Sequence, residues 1–283
     1  MIIHKQLDNG FKYIEVRNKQ AEAKIALQGA HIFHYMKKDK APLLWLSELA
    51  YFEEGKAIRG GIPICFPWFG KNKNNPSLPQ HGFARTQIWT VILEEEMDEG
   101  MTHIQMQLKS NAHTLAQWAY LFNVTLDIII GYELSMVFSV SNTDTKPFEI
   151  TAALHTYFSV SDIKNISIKG LENRAYYDAL EDETFIQDGA ISIQKEVDRV
   201  YSNPSKTITL LDGDAKINLQ QEGSNSLVIW NPWIAKSKQM ADMTEDGYRT
   251  MMCLETSNAG EDSRVLKPNE SHILSAIFKK ENR

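Results

Sequence analysis

Apolar and polar residues alternate with a period of two along much of this chain. Ile104, Met106 and Leu108 interleave with Gln105, Gln107 and Lys109, and Leu134, Met136, Phe138 and Val140 interleave mainly with serines. Such alternation predicts half-buried strands, because successive side chains of a strand point to opposite faces. Thr207 to Leu211 and Ala215 to Gln220 flank Asp212-Gly213-Asp214, which predicts a hairpin with its turn chemistry in place. Further strands are expected at Lys24 to Leu27, His31 to Tyr35, Asn165 to Lys169, Ser226 to Trp230 and His272 to Phe278. Helical periodicity is nearly absent: only Leu43 to Glu54 and Thr114 to Leu121 have room for a turn or two, and neither is well capped.

The pattern therefore predicts an all-β fold, a large antiparallel β-sandwich. No repeat and no Gly/Ser-rich or Pro-rich linker interrupts the chain, so a single domain over residues 1–283 is expected. Hydrophobic residues make up 43% of the sequence and aromatics 10%, ample for a substantial core. A formal net charge of −6 argues against broad nucleic-acid or anionic-membrane binding, which needs a basic face. No apolar run approaches the roughly 20 residues of a membrane span, and the N-terminus does not read as a secretory signal; a cytoplasmic protein is expected. Cys65 and Cys253 are too few for a disulfide framework and are expected to be buried thiols.

Between Ile58 and Arg85 the sequence reads IRGGIPICFPWFG, a polar insert, then LPQHGFAR. Pro63, Pro67 and Pro79 keep this stretch from becoming helix. Arg59 and Arg85 carry planar donors suited to a phosphate, and Gly60 and Gly61 are expected to let backbone approach a ligand closely. The spacing of Gly55 and Gly60 is that of a phosphate loop, but Gly61 follows where lysine is required. His31 and His34 lie in a strand-like run, where a spacing of three points them to opposite faces and makes a poor metal pair. No HExxH motif or Cys/His cluster stands elsewhere in the linear sequence, so no metal is expected.

His81 in QHGF and His155 in ALHTYF sit among small and aromatic residues. Each is open to two readings, a satisfied core histidine or a proton carrier. Glu255 follows the apolar run Met251 to Leu254 and is either a carboxylate at a solvated strand end or a buried acid with a task. Together, one histidine and one carboxylate would make an acid/base pair suited to an isomerase or a lyase. The aromatic segment at Trp230, Pro232 and Trp233, followed by Lys236 and Lys238, is either a stacking surface for a sugar or part of the core.

The blocks AIRGGIPICFPWFG, QHGFAR, ALHTYFSVSDI, VDRVY, VIWNPWIAKSKQMADM and CLETSNAG occur in this order over nearly the whole chain. In this they resemble the hexose-6-phosphate mutarotases (glucose-6-phosphate 1-epimerases) of the aldose 1-epimerase superfamily. The resemblance implies a galactose mutarotase-like supersandwich and exchange of α and β anomers of a hexose 6-phosphate, without metal or organic cofactor. It implies a general acid at His155, a general base at Glu255, and substrate contacts at Arg59, Gln80, Arg85 and Asp198, with His81 nearby. The implied partner is a small-molecule sugar phosphate, and a monomer is expected. Many relatives have proline where this chain has Thr256, and an acidic stretch follows Ala259-Gly260; both departures bear on specificity. Two other readings remain, a sugar-phosphate sensor without turnover and an isomerase or lyase on another carbohydrate.

Overall fold

The computed structural model describes residues 1–282. Every paired strand is antiparallel. One eight-stranded sheet runs in the order 166–169, 207–212, 215–222, 271–282, 134–142, 122–130, 102–109 and 90–96. Its strands Thr102–Lys109, Phe122–Ile130 and Leu134–Asn142 bury every second side chain, as the alternation predicts. The second eight-stranded sheet runs 183–186, 175–178, 197–202, 226–231, 251–258, 152–154 and 64–65, with 157–159 also paired to 251–258. A four-stranded sheet, 2–6, 12–17, 21–26 and 31–37, and a two-stranded ribbon, 148–150 with 264–266, complete the β structure.

The two large sheets share one apolar cluster. Leu254, Met252, Ile229 and Leu227 of one meet Phe278, Leu274, Met136 and Phe138 of the other in it. Phe66 joins the layers: its ring lies 5.3 Å from Phe122, 5.7 Å from Phe138 and 5.8 Å from Trp118, all edge to face, the preferred geometry of aromatic pairs. The hairpin forms with Asp212 paired to Ala215, so its turn is two residues, Gly213-Asp214, with Gly213 at φ +55°. Asp212 belongs to the strand rather than the turn.

The helix expectations needed correction. Leu43 to Glu54 forms no helix, because Leu44 and Leu46 are taken by bridges to Phe158 and Gly60. The second candidate starts earlier and stops sooner, at Ala112–Gln117, because Asn111 and Thr114 form a reciprocal capping box. A helix at Trp233–Gln239 was not expected; Pro232 stands at its N-cap. Among the described residues no helix is long and apolar enough to cross a membrane. Cys65 and Cys253 are buried free thiols.

Replacing Phe66 by alanine removes the ring that touches both layers. We expect Phe66→Ala to lose about 3–5 kcal/mol, read as a lower urea midpoint in circular dichroism; a loss below about 1 kcal/mol would mean the aromatic cluster is not a keystone.

Candidate functional site

The strand Met251–Asn258 is buried along its whole length, but its faces differ. Met252 and Leu254 point into the shared core. Met251 and Cys253 point the other way, into a second cluster with Trp45, Tyr157, Trp230 and Met243. Glu255 falls on this second face by period two, with 1% of its surface exposed. It is an interior strand residue, so the solvated strand-end reading does not hold.

His155 reaches Glu255 by cross-strand register. Leu154 pairs with Thr256, and Tyr157 pairs with Cys253, so the register is the same on both sides of His155 and Thr156 and sets His155 opposite Glu255. The ladder is interrupted there because Thr156 N–H donates to Leu154 C=O at 2.9 Å, a three-residue turn centred on His155. His155 Nε2 lies 3.3 Å from Glu255 Oε1. The imidazole stacks on Tyr157, with ring centroids 4.9 Å apart and planes 11° apart, and meets His81 and Trp230 edge on. His155 Nδ1 and Glu255 Oε2 are buried without a hydrogen-bond partner among the described residues.

Desolvation governs this pair. Burial pushes the His155 imidazole well below its usual range, helped by His81, Arg85 and Arg59. It pushes the Glu255 carboxyl well above its own; Asp198 adds to the rise and Arg85 opposes it. Burial thus disfavours the charged form of both groups, biasing the free site away from the imidazolium and carboxylate of a working acid and base and toward neutral imidazole beside carboxylic acid. Both states hold one proton between the two groups.

The stretch from Ile58 to Arg85 supplies the neighbouring wall. Gly61, Pro63, Ile64 and Cys65 run antiparallel to residues 153–157: Tyr157 N–H donates to Gly61 C=O and His155 N–H to Pro63 C=O. This alignment carries Arg59 to Tyr157, whose hydroxyl accepts from Arg59 Nη1 at 2.9 Å. Asp242 accepts from Arg59 Nε and Nη2, both at 3.1 Å. Arg85 donates Nη2 to the Gln80 carbonyl at 2.6 Å, and among the described residues no carboxylate pairs with it. Gln80 is exposed, while His81 is half-buried, at φ +64°, with Nδ1 accepting from Gly70 N–H at 3.2 Å. Burial, then Arg85 and Arg59, hold His81 down to about 3, so it is neutral. Asp198 pairs across to Trp230, which pairs to Cys253, placing the aspartate on the same face of the sheet as Glu255. Burial raises the Asp198 carboxyl, with Lys236 opposing.

Several expectations change. The paired glycines serve the protein rather than a ligand. A Cβ at Gly60 would stand 2.6 Å from Trp45 C=O, and one at Gly61 would stand 2.3 Å from Ile32 C=O. Gly60 C=O instead accepts from His31 Nε2 at 2.8 Å, and burial keeps His31 neutral, down to about 4. The aromatic segment divides: Trp230 lines the site, whereas Trp233 packs on Tyr248. No Cys/His cluster is visible in the linear sequence, yet folding brings ligand atoms of His155, Cys253 and Glu255 within 4.8 Å of one another. Tyr157, Asp242 and Cys253 were not singled out for the site. Tyr157 was legible, since it lies only two residues from His155, and its ring stacks on the imidazole; nothing local marks Asp242. A cavity of about 580 Å³, lined by Tyr177, Val200, Ser202 and Ser226 among others, flanks the pair two strands away on the same face.

The comparisons agree in one direction. A family model described as aldose 1-epimerase matches residues 12–279. A relative from Escherichia coli (strain K12), named "Putative glucose-6-phosphate 1-epimerase", is 35% identical over 268 residues, covering 93% of this chain and 89% of that protein. One of the same name from Cenchrus ciliaris is 36% identical over 260 residues, covering 88% of this chain and 78% of that protein. A crystal structure of a "putative mutarotase" from Salmonella typhimurium superposes with a TM-score of 0.93 at 31% identity, covering 100% of this chain and 94% of that one. The chain is an enzyme with a sugar substrate and belongs to the aldose 1-epimerase family.

Proposed function

We propose that the protein exchanges the α and β anomers of hexose 6-phosphates, with glucose 6-phosphate the leading substrate, by acid/base ring opening and reclosure at His155 and Glu255. The observation that carries this reading is the buried pair at 3.3 Å with two arginines beside it. Glu255 takes the proton of the anomeric hydroxyl while His155 delivers one to the ring oxygen. The bond between C1 and that oxygen breaks, giving the open-chain aldehyde; rotation about C1–C2 presents the other carbonyl face, and reclosure runs with the roles reversed. Proton transfers of this kind contribute about 10² to 10⁴ in rate, and no group is consumed.

Arg59 and Arg85 hold the phosphate, and Gln80, His81 and Asp198 contact the sugar. Binding energy gathered at the phosphate orients the ring at C1. The phosphate has a second effect. Arg85 and Arg59 both disfavour a cationic His155 in the free site, and a bound phosphate dianion offsets their charge. Substrate thus makes His155 easier to protonate for its role as acid, while the same offset withdraws the support that Arg85 gives to an ionised Glu255. With this reading go a cytoplasmic monomer of one domain.

Three outcomes are expected. Anomer exchange of glucose 6-phosphate, followed by NMR with the spontaneous rate subtracted, falls at least about 10²-fold in His155→Asn and in Glu255→Gln; an unchanged rate in either rejects the assignment, and tight binding without any acceleration in the wild type would point to a sensor. Arg85→Ala and Arg59→Ala reduce kcat/KM for glucose 6-phosphate by about tenfold or more relative to free glucose, the scale of one charge-assisted contact; equal losses on both sugars would make the arginines structural. The kcat profile is bell-shaped in pH. Because phosphate raises the pH at which His155 keeps its proton, the basic limb lies higher for glucose 6-phosphate than for glucose, and coincident limbs would refute tuning by the phosphate.

A further inference from the structure

We propose that Cys253 completes, with His155 Nε2 and a carboxylate oxygen of Glu255, a three-ligand site for a borderline-soft divalent cation such as zinc, and that occupancy of this site blocks the proton-transfer pair. The blocking clause rests on the acid/base reading above; the metal site does not.

The donor set is one nitrogen, one sulfur and one oxygen, all three side chains buried, with their ligand atoms within 4.8 Å of one another. Zinc takes these ligand types at bonds of about 2.0–2.3 Å in tetrahedral geometry, which sets ligand-to-ligand edges of roughly 3.3–3.6 Å. The 3.3 Å between His155 Nε2 and Glu255 Oε1 already matches such an edge, and the three ligand atoms, all within 4.8 Å of one another, need a modest contraction to close the rest. Three protein ligands leave a fourth corner open, the arrangement of a site that also admits water or a small molecule.

A second observation points to a ligand. Among the described residues Glu255 Oε2 is buried with no partner, and a buried carboxyl oxygen left unpaired is costly in either protonation state. A dication supplies what the fold leaves out. It also reverses the protonation bias of the pocket: burial drives the Cys253 thiol well above its usual range, whereas a coordinating thiol is deprotonated. On binding, the thiol proton passes to the buffer, as does the carboxyl proton where Glu255 holds it. The depressed imidazole is already in the neutral form that binds metal. Nearby charge is mixed. Asp198 faces Glu255 and favours a cation, Arg85 opposes one, and Asp242 offsets Arg59.

The alternative is that Cys253 only fills space among Trp45, Tyr157, Trp230 and Met251. Cobalt(II) titrated into the full chain separates the two. We expect a thiolate-to-cobalt charge-transfer band in the near ultraviolet that zinc abolishes, that Cys65→Ala keeps and that Cys253→Ala lacks. In parallel, zinc slows anomer exchange, a chelator restores it, and Cys253→Ala requires about tenfold more zinc or greater, each protein being compared with its own zinc-free rate; even outer-shell changes at metal sites cost about that much. If Cys253→Ala does not fold by circular dichroism, Cys253→Ser keeps the volume and replaces the soft ligand. No band in the wild type, or equal zinc sensitivity with and without the Cys253 sulfur, overturns the proposal. A band without inhibition leaves the metal site standing and removes the blocking clause together with the reading of His155 and Glu255 as the proton-transfer pair.

Discussion

The site depends on one constraint, the unbroken antiparallel register between residues 152–159 and 251–258. The ladder turns aside at His155, where Thr156 N–H bonds back to Leu154 C=O, although Thr156 C=O still accepts from Leu254 N–H at 3.3 Å; the pairing on either side is the same, so no residue is gained or lost there. A slip by one residue would turn His155 into the shared core and bring Thr156 to the site face. The register is itself pinned on the far side, where Ile64 and Cys65 pair with Leu154 and Ala153. Two sequence-distant strands and one loop thus fix a histidine–carboxylate geometry that no local motif could hold.

That arrangement has a cost which the rest of the structure offsets. Two ionisable groups are buried together, each with an unpartnered atom, against a background in which buried polar groups are normally satisfied. The shared apolar cluster of the two large sheets, with Phe66 at its junction, supplies the stability against which such frustration is held. Local imperfection at a site supported by a well-packed frame is the usual relation between strain and function.

Much of the frame was legible in the sequence because a period of two is a short-range signal. Leu134, Met136, Phe138 and Val140 announce their strand within nine residues, and the hairpin at Gly213 announces its turn. Helix boundaries were harder: the cap at Asn111 depends on a reciprocal bond with Thr114, and Leu43 to Glu54 is claimed by partners more than ten residues away. The fully buried strand at Glu255 was only half readable, since a run apolar on both faces does not say where it ends. The resemblance to a known family brought His155, Glu255, Arg59 and Arg85 into one list, and the fold brings them into one region. Asp242 escaped because its importance lies in what it touches, an arginine 183 residues earlier in the chain; Tyr157 and Cys253 were missed although each lies two residues from a candidate already singled out, His155 and Glu255.

The two arginines differ in a way their shared residue type conceals. Arg59 is tied to Asp242 and to a phenol, so at distances beyond a few ångströms its charge is largely cancelled. Among the described residues Arg85 has only a backbone carbonyl. An approaching anion therefore feels Arg85 first, through a field that salt screens within about 8–10 Å, and meets Arg59 only on contact. Long-range attraction bears on association rate and short-range fit on dissociation. Under the proposed binding of an anionic sugar by both, the pair would divide that binding in time, one residue governing arrival and the other residence.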